Sequence, residues 1–129
     1  MAFALMLAAT APANAGPASV KTLQSWSGRI PLVVQPPTQS SIGRADEFTR
    51  LWALCQVKDA LPVIDFDKRL VLLAVRRGTT VKFRDLKLDN GNLKTSVVVS
   101  PDMPPHMTCA IAVVDRSGVT KVNGLPIGQ

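Results

Sequence analysis

Tyrosine is absent from this 129-residue chain, histidine occurs once, and cysteine occurs twice. Each scarcity removes a class of chemistry. Any nucleophile that borrows an imidazole base has to borrow His106. A metal held through His106 would need two or three further convergent ligands, and no cluster with ligand spacing accompanies it. No serine sits in a Gly-x-Ser-x-Gly elbow, and no glycine-rich phosphate loop occurs, so no cofactor is implied. Aromatic residues make up only 5% of the chain. Both tryptophans, Trp26 and Trp52, lie outside the most basic stretch. The stacking platform expected of a nucleic-acid reader is therefore missing. Acidic residues are also in the minority, 9 against 15 basic ones, giving a formal charge of +6. A basic surface favours solubility and weak attraction to anionic material, without selecting a partner. No internal repeat or low-complexity segment is present.

What the chain does contain begins with a targeting pattern. Ala2 to Ala9 is an apolar run, and Ala13-Asn14-Ala15 is a small-x-small cleavage pattern before Gly16. Residues 1–15 read as a signal peptide and residues 16–129 as one β-rich domain, long enough for a modest core. The apolar run is too short for a mature membrane anchor. No cysteine follows the cleavage pattern to carry a lipid. No lysine or arginine precedes the run, so either the true start lies upstream or the signal is a minimal one; an apolar N-terminal strand or helix is the competing reading. The expectation is a secreted, periplasmic or cell-envelope protein with no transmembrane anchor after processing.

The domain is organised by residues 42–78. Phe48, Leu51, Trp52 and Cys55 recur at helical spacing, which predicts an amphipathic helix over about 45–56. Asp46 and Glu47 suit its positive end and Lys58 its far end, with Pro62 forbidding continuation. Leu70 to Val75 is continuously apolar, as in a strand covered on both faces. Before the helix, Val20 to Val34 has strand character broken by Ser27-Gly28 and Pro31. This fits two short strands or one bulged edge strand.

Beyond Gly78, Val81 and Phe83 share one parity and Leu86 and Leu88 the other, which predicts a β-bulge at Arg84-Asp85. Asn90-Gly91 is a hairpin signal. Leu93, Thr95, Val97 and Val99 alternate along one face of the returning strand. A proline-rich loop from Pro101 to Met107 follows. Cys109 to Val114 is a second interior strand, Asp115 to Gly118 a turn, and Val119 to Val122 a short return. Asn123-Gly124 ends the expected order. The fold class is α+β, one helix packed on a small, mainly antiparallel sheet or half-barrel.

Candidate chemistry is sparse. Cys55 lies on the helix stripe and Cys109 in phase with Ile111 and Val113, so both face one interior. In an oxidising compartment they are a disulfide candidate worth roughly 4 kcal/mol in the chain-entropy account. The other reading is two buried thiols that never meet. A Cys109/His106 nucleophilic pair, and with it a hydrolase, is the weaker alternative, because three-residue spacing does not by itself bring the groups together. Asp65 and Asp67 could share a cation or proton. The simpler reading is a carboxylate accepting turn amides beside one paired with Lys68 or Arg69. Arg76, Arg77, Lys82, Arg84 and Lys87 gather around one hairpin. They serve either to block unwanted strand pairing or to contact an anionic partner such as an envelope polymer.

The order Ile42, Phe48, Leu51-Trp52, Leu61 to Phe66 and Leu70 to Val75 resembles the C-terminal domain of protease complex subunit PrcB. Gly91-Asn92-Leu93, Val97 to Val99, the proline loop and Ala112 to Val114 continue the likeness. The stretch after Gly78 lacks the glycine–tyrosine pair of that family. The resemblance implies an exported, non-catalytic domain that assists or stabilises an extracellular protease, and it brings no catalytic residue with it. The expected partner is thus another exported protein, with anionic envelope material as the alternative.

Overall fold

A computed structural model describes residues 17–129. The signal peptide expected at residues 1–15 lies outside the described residues. Among the described residues, nine strands and one helix occur in the order β1 (Ala18–Ser19), β2 (Gln24–Pro31), β3 (Ser41–Ile42), α1 (Ala45–Leu54), β4 (Arg69–Arg76), β5 (Val81–Asp89), β6 (Asn92–Val99), β7 (His106–Asp115), β8 (Lys121–Val122) and β9 (Leu125–Pro126). The class is α+β.

The two continuously apolar strands, β4 and β7, pair antiparallel from Arg69↔Asp115 to Arg76↔Thr108. They form the centre of a four-stranded sheet ordered β2-β7-β4-β3. One face carries Val71, Leu73, Cys109, Ile111 and Val113, which pack with Phe48, Leu51, Trp52 and Cys55 of the helix stripe. The other face carries Leu70, Leu72, Ala112 and Val114, which pack with Leu86, Leu93 and Val122. Those last residues belong to a second, five-stranded sheet ordered β9-β8-β6-β5-β1. The arrangement is therefore helix, sheet, sheet. A single small sheet would leave one face of β4 and β7 in water. The β5–β6 hairpin folds over that face rather than extending the first sheet, and no ladder among the described residues joins the two sheets.

The helix ends earlier than the stripe predicts. Gln56 adopts φ +51°, its amide donates to the Ala53 carbonyl, and the Val57 amide reaches back to Trp52. These bonds form a Schellman-type stop. Termination thus precedes Pro62, and Lys58 lies beyond the last turn, where no basic residue stands. Trp52 seals the layer: its ring meets Trp26 edge-on at 5.1 Å and Phe48 at 5.4 Å. Its Nε1 donates to the Asp59 carbonyl at 3.0 Å.

Val20 to Val34 resolves into one continuous edge strand, β2, with Pro31 at its end. Gly28 of β2 lies under the helix terminus, where a Cβ would come within 2.2 Å of the Cys55 carbonyl oxygen. Only glycine fits that crossing. The neighbouring Arg29 amide uses the approach, donating to the same carbonyl at 2.7 Å. The bulge falls as expected, with the register of β5 on β6 shifting between Phe83 and Asp85. Asn90 and Gly91 take φ +51° and +81° at the hairpin turn.

Order does not stop at Asn123-Gly124. These residues turn with φ +50° and +82° and lead into β9, which pairs back on β8. The tail then docks on the helix entrance, with Ser40 donating to the Gln129 carbonyl and Gly128 to the buried Ser41 hydroxyl. An Asn-Gly pair marks a tight hairpin as readily as a chain end. One ladder is parallel, β6 with β8, because β7 intervenes in sequence and lies in the other sheet.

Removing the aromatic plug with Trp52→Ala is expected to lower stability by about 3 to 5 kcal/mol. Gly28→Ala is expected to lower it by about 1 to 3 kcal/mol through overpacking. Denaturant midpoints of the two variants check both values, and a Gly28→Ala midpoint equal to the parent's would contradict the close crossing.

Candidate functional site

Strand alternation decides the fate of His106 and Cys109. Both lie on β7, three residues apart, and successive side chains point to opposite faces of a strand. Cys109 faces the helix, as do Ile111 and Val113. His106 shares the parity of Thr108 and Ala110 on the other face, and its Nε2 is buried without a hydrogen-bond partner. The two groups do not converge.

Cys109 converges instead on Cys55. Both are fully buried free thiols in one core cluster. Gly28, the β2 neighbour of Cys109 in register, is the residue over which Cys55 lies. Hydrogen bonding with the Cys55 thiol, reinforced by burial, pushes the Cys109 thiol far up. A thiol held protonated in this way is a poor nucleophile. The two thiols thus lie together between the helix terminus and β7 as unbridged cysteines.

Asp65 and Asp67 form a turn. The Asp65 carboxylate accepts the Asp67 amide at 3.1 Å, and its carbonyl accepts from Lys68 and Arg69. The expected pairing of Asp67 with Lys68 or Arg69 is not among the ion pairs of the described residues. Nor do the described residues include a group of three or more potential metal ligands.

The five basic residues divide into two groups. Arg76 and Arg77 close β4 away from the hairpin's outer face. The Arg76 guanidinium donates to the Val75 carbonyl, and Arg77 Nε donates to Pro104 at 2.9 Å, tying down the proline loop. Lys82, Arg84 and Lys87 lie on the exposed face of β5. There Lys87 stands directly opposite Lys94, a pairing that like charges disfavour. Lys121, opposite Asn92 on the adjoining β8, adds a fifth cation to this face. Two acids temper it: Asp85 lies 3.4 Å from Arg84 and Asp89 lies 3.7 Å from Lys94. Lys94 and Lys121 were missed from sequence because only the register places them beside Lys87.

Two sheet edges also lie open. β1 covers β5 only at Lys87 and Leu88, and the Val20 amide adds one bond to Leu86. Nothing among the described residues pairs with the outer edge from Val81 to Asp85. β2 is likewise an edge strand, closed only at Arg29 by the helix terminus. Between these edges runs a cleft of about 630 Å³ lined by Ser25, Ser27, Val81, Lys82, Phe83 and the small residues Ala110 and Ala112.

A polar clasp closes one end of this region. The Asp102 carboxylate accepts the Ser100 hydroxyl at 2.5 Å and the Thr79 amide at 3.0 Å, and the Thr79 hydroxyl also donates to it. Ser100 and Thr79 together hold the Asp102 carboxyl down at about 2. Thr108 of β7 donates to the Gly78 carbonyl, fixing the same turn from below.

No helix among the described residues is long and apolar enough to cross a membrane. No family model matches the chain, and neither a curated protein nor a solved structure matches it.

Because the folded pKa of Asp102 lies below its ordinary value of 3.8, the clasp's contribution is complete above that value. It declines as pH falls toward and through about 2. Exchange of the Thr79 amide is expected to accelerate over this acid window in the parent and to lose that dependence in Asp102→Asn. An unchanged acid profile in the variant would contradict the assignment.

Proposed function

We propose that this chain is an exported, non-catalytic binding or accessory domain that contacts an extracytoplasmic protein, such as a protease, through an exposed sheet edge. The observation that carries the reading is the length of β5 from Val81 to Asp85 that no other strand among the described residues pairs on its outer side. An edge of backbone donors and acceptors beside a cleft is the standard receptor for an extended segment. The likeness to the PrcB C-terminal domain in its core residues points the same way. Divergence of His106 from Cys109 on opposite faces of β7 weighs against the Cys109/His106 hydrolase alternative.

A second reading rests on the outer face of β5 and β6. Directly opposed Lys87 and Lys94, flanked by Lys82, Arg84 and Lys121, would be relieved by an anionic surface such as an envelope polymer. Retention on an anionic matrix that falls steeply with salt, and falls further in Lys87→Ala, distinguishes this from edge capture.

Export also bears on the thiol pair. Outside the cytoplasm Cys55 and Cys109 are expected to join as a disulfide, clamping the helix terminus to β7. Processed protein recovered from its native envelope should show no alkylatable thiol in denaturant before reduction, and two after it. Two free thiols before reduction would rule out the clamp. A pull-down of the same sample, identified by mass spectrometry, is expected to return an exported protein. Recovery of the domain alone, with no partner after cross-linking, would overturn the accessory reading.

A further inference from the structure

The sheets pack closely wherever Leu70, Leu72, Val114, Leu86 and Leu93 face one another. They part where Ser25 stands opposite Ala112 and Ser27 opposite Ala110. Four small residues there leave the cleft of about 630 Å³, within the range of ligand-binding clefts. The gap coincides with the stretch of β5 that lacks an outer neighbour among the described residues. β1 occupies that neighbouring position only beside Lys87 and Leu88. After Val20 the chain leaves the edge to begin β2, and the line β1 was following stays vacant alongside Val81 to Asp85.

Resting on the reading of the chain as a partner-binding domain, we infer that this vacancy receives an extended peptide segment of another protein. The guest adds to β5 end to end with β1, and its residues alternate between apolar and acidic. Strand geometry sets both requirements. An added strand projects successive side chains to opposite faces. One set enters the cleft, against Phe83, Ala110 and the Ser25 and Ser27 hydroxyls, where small or medium apolar groups fit. The other set emerges on the outer face beside Lys82 and Arg84, of which Arg84 is already 3.4 Å from Asp85 and Lys82 is the cation left to the guest. Lys82 belongs to none of the ion pairs among the described residues, and Lys82 is the one charged residue lining the cleft. A carboxylate is the cross-strand partner that this position lacks. The five residues from Val81 to Asp85 span about 17 Å of strand, so the recognised segment is short. A second copy of this chain is a poor occupant, because it would bring Lys82 and Arg84 against their own kind.

The test uses blocked synthetic heptapeptides: one alternating valine with aspartate, one alternating valine with lysine, and one in which proline replaces the central residue of the acidic peptide. Binding is followed by hydrogen exchange and by amide NMR shifts. The acidic peptide is expected to protect amides within Val81 to Asp85, while the basic and proline-containing peptides protect none. Lys82→Glu is expected to weaken the acidic peptide about fivefold or more. Ser27→Phe, which fills the cleft from an exposed position, is expected to abolish the protection. Equal binding of the acidic and basic peptides would overturn the inference, as would protection confined to β2 or protection arising from self-association. The two readings fail separately. A native partner captured equally by the parent, Lys82→Glu and Ser27→Phe removes this site and leaves the accessory role. Absence of any native partner removes the role itself.

Discussion

Burial of β4 and β7 on both faces is the constraint from which the architecture follows. Leu70 to Val75 and Cys109 to Val114 are apolar at every position, so neither strand has a side that can face water. Paired side by side, they present two greasy surfaces, and two separate covers are needed. The chain supplies a ten-residue helix for one and the β5–β6 hairpin for the other. The helix cannot serve both, since its single stripe of Phe48, Leu51, Trp52 and Cys55 is used up on the first. The second sheet exists because the first sheet has a second face.

Covers of unequal size explain where the molecule is open. The helix stops at Cys55 through its left-handed Gln56, and its last carbonyl occupies the β2 edge only at Arg29. The hairpin covers the centre of the first sheet, but β1 runs along only the far end of β5. Small residues on β2 and β7 leave unfilled space between the remaining edges. The same crossing of helix end and β2 that demands Gly28 also carries Cys55 to Cys109, so close backbone approach and sulfur placement are one geometric event.

Much of this was legible in the residues, and the failures have identifiable causes. The helix stripe, the two interior strands, the bulge and the Asn90-Gly91 turn depend on local periodicity, which sequence displays directly. The end of the helix did not, because a Schellman stop with glutamine in place of glycine has no strong signal. The tail after Asn123-Gly124 looked terminal because its contacts, to Ser40 and Ser41, are distant along the chain. The division into two sheets was hidden for the same reason: alternation says that a face is buried, not by which element. The basic group was half legible. Lys82, Arg84 and Lys87 share a strand face, whereas Lys94 and Lys121 join them only through register, and Arg76 and Arg77 are drawn off to carbonyls. The cleft had no sequence signal, being made of serines and alanines that are unremarkable one at a time.

Lysine and arginine beside a free edge are usually read as guards against unwanted pairing, and that reading competes with a binding role only if the two need different charges. Here they need the same one. Lys82 and Arg84 meet their own kind when another copy of this domain approaches edge to edge, and like charge disfavours that pairing. A strand carrying carboxylates meets the same residues as attraction. Under the proposed reading, the charge that disfavours self-association would also select what the edge admits. A neutral edge of equal length would have neither property, and an edge covered throughout by β1 would have no use for them. Charge on an unpaired strand, over a gap left by small residues, is thus consistent with an edge kept free for a partner of opposite sign.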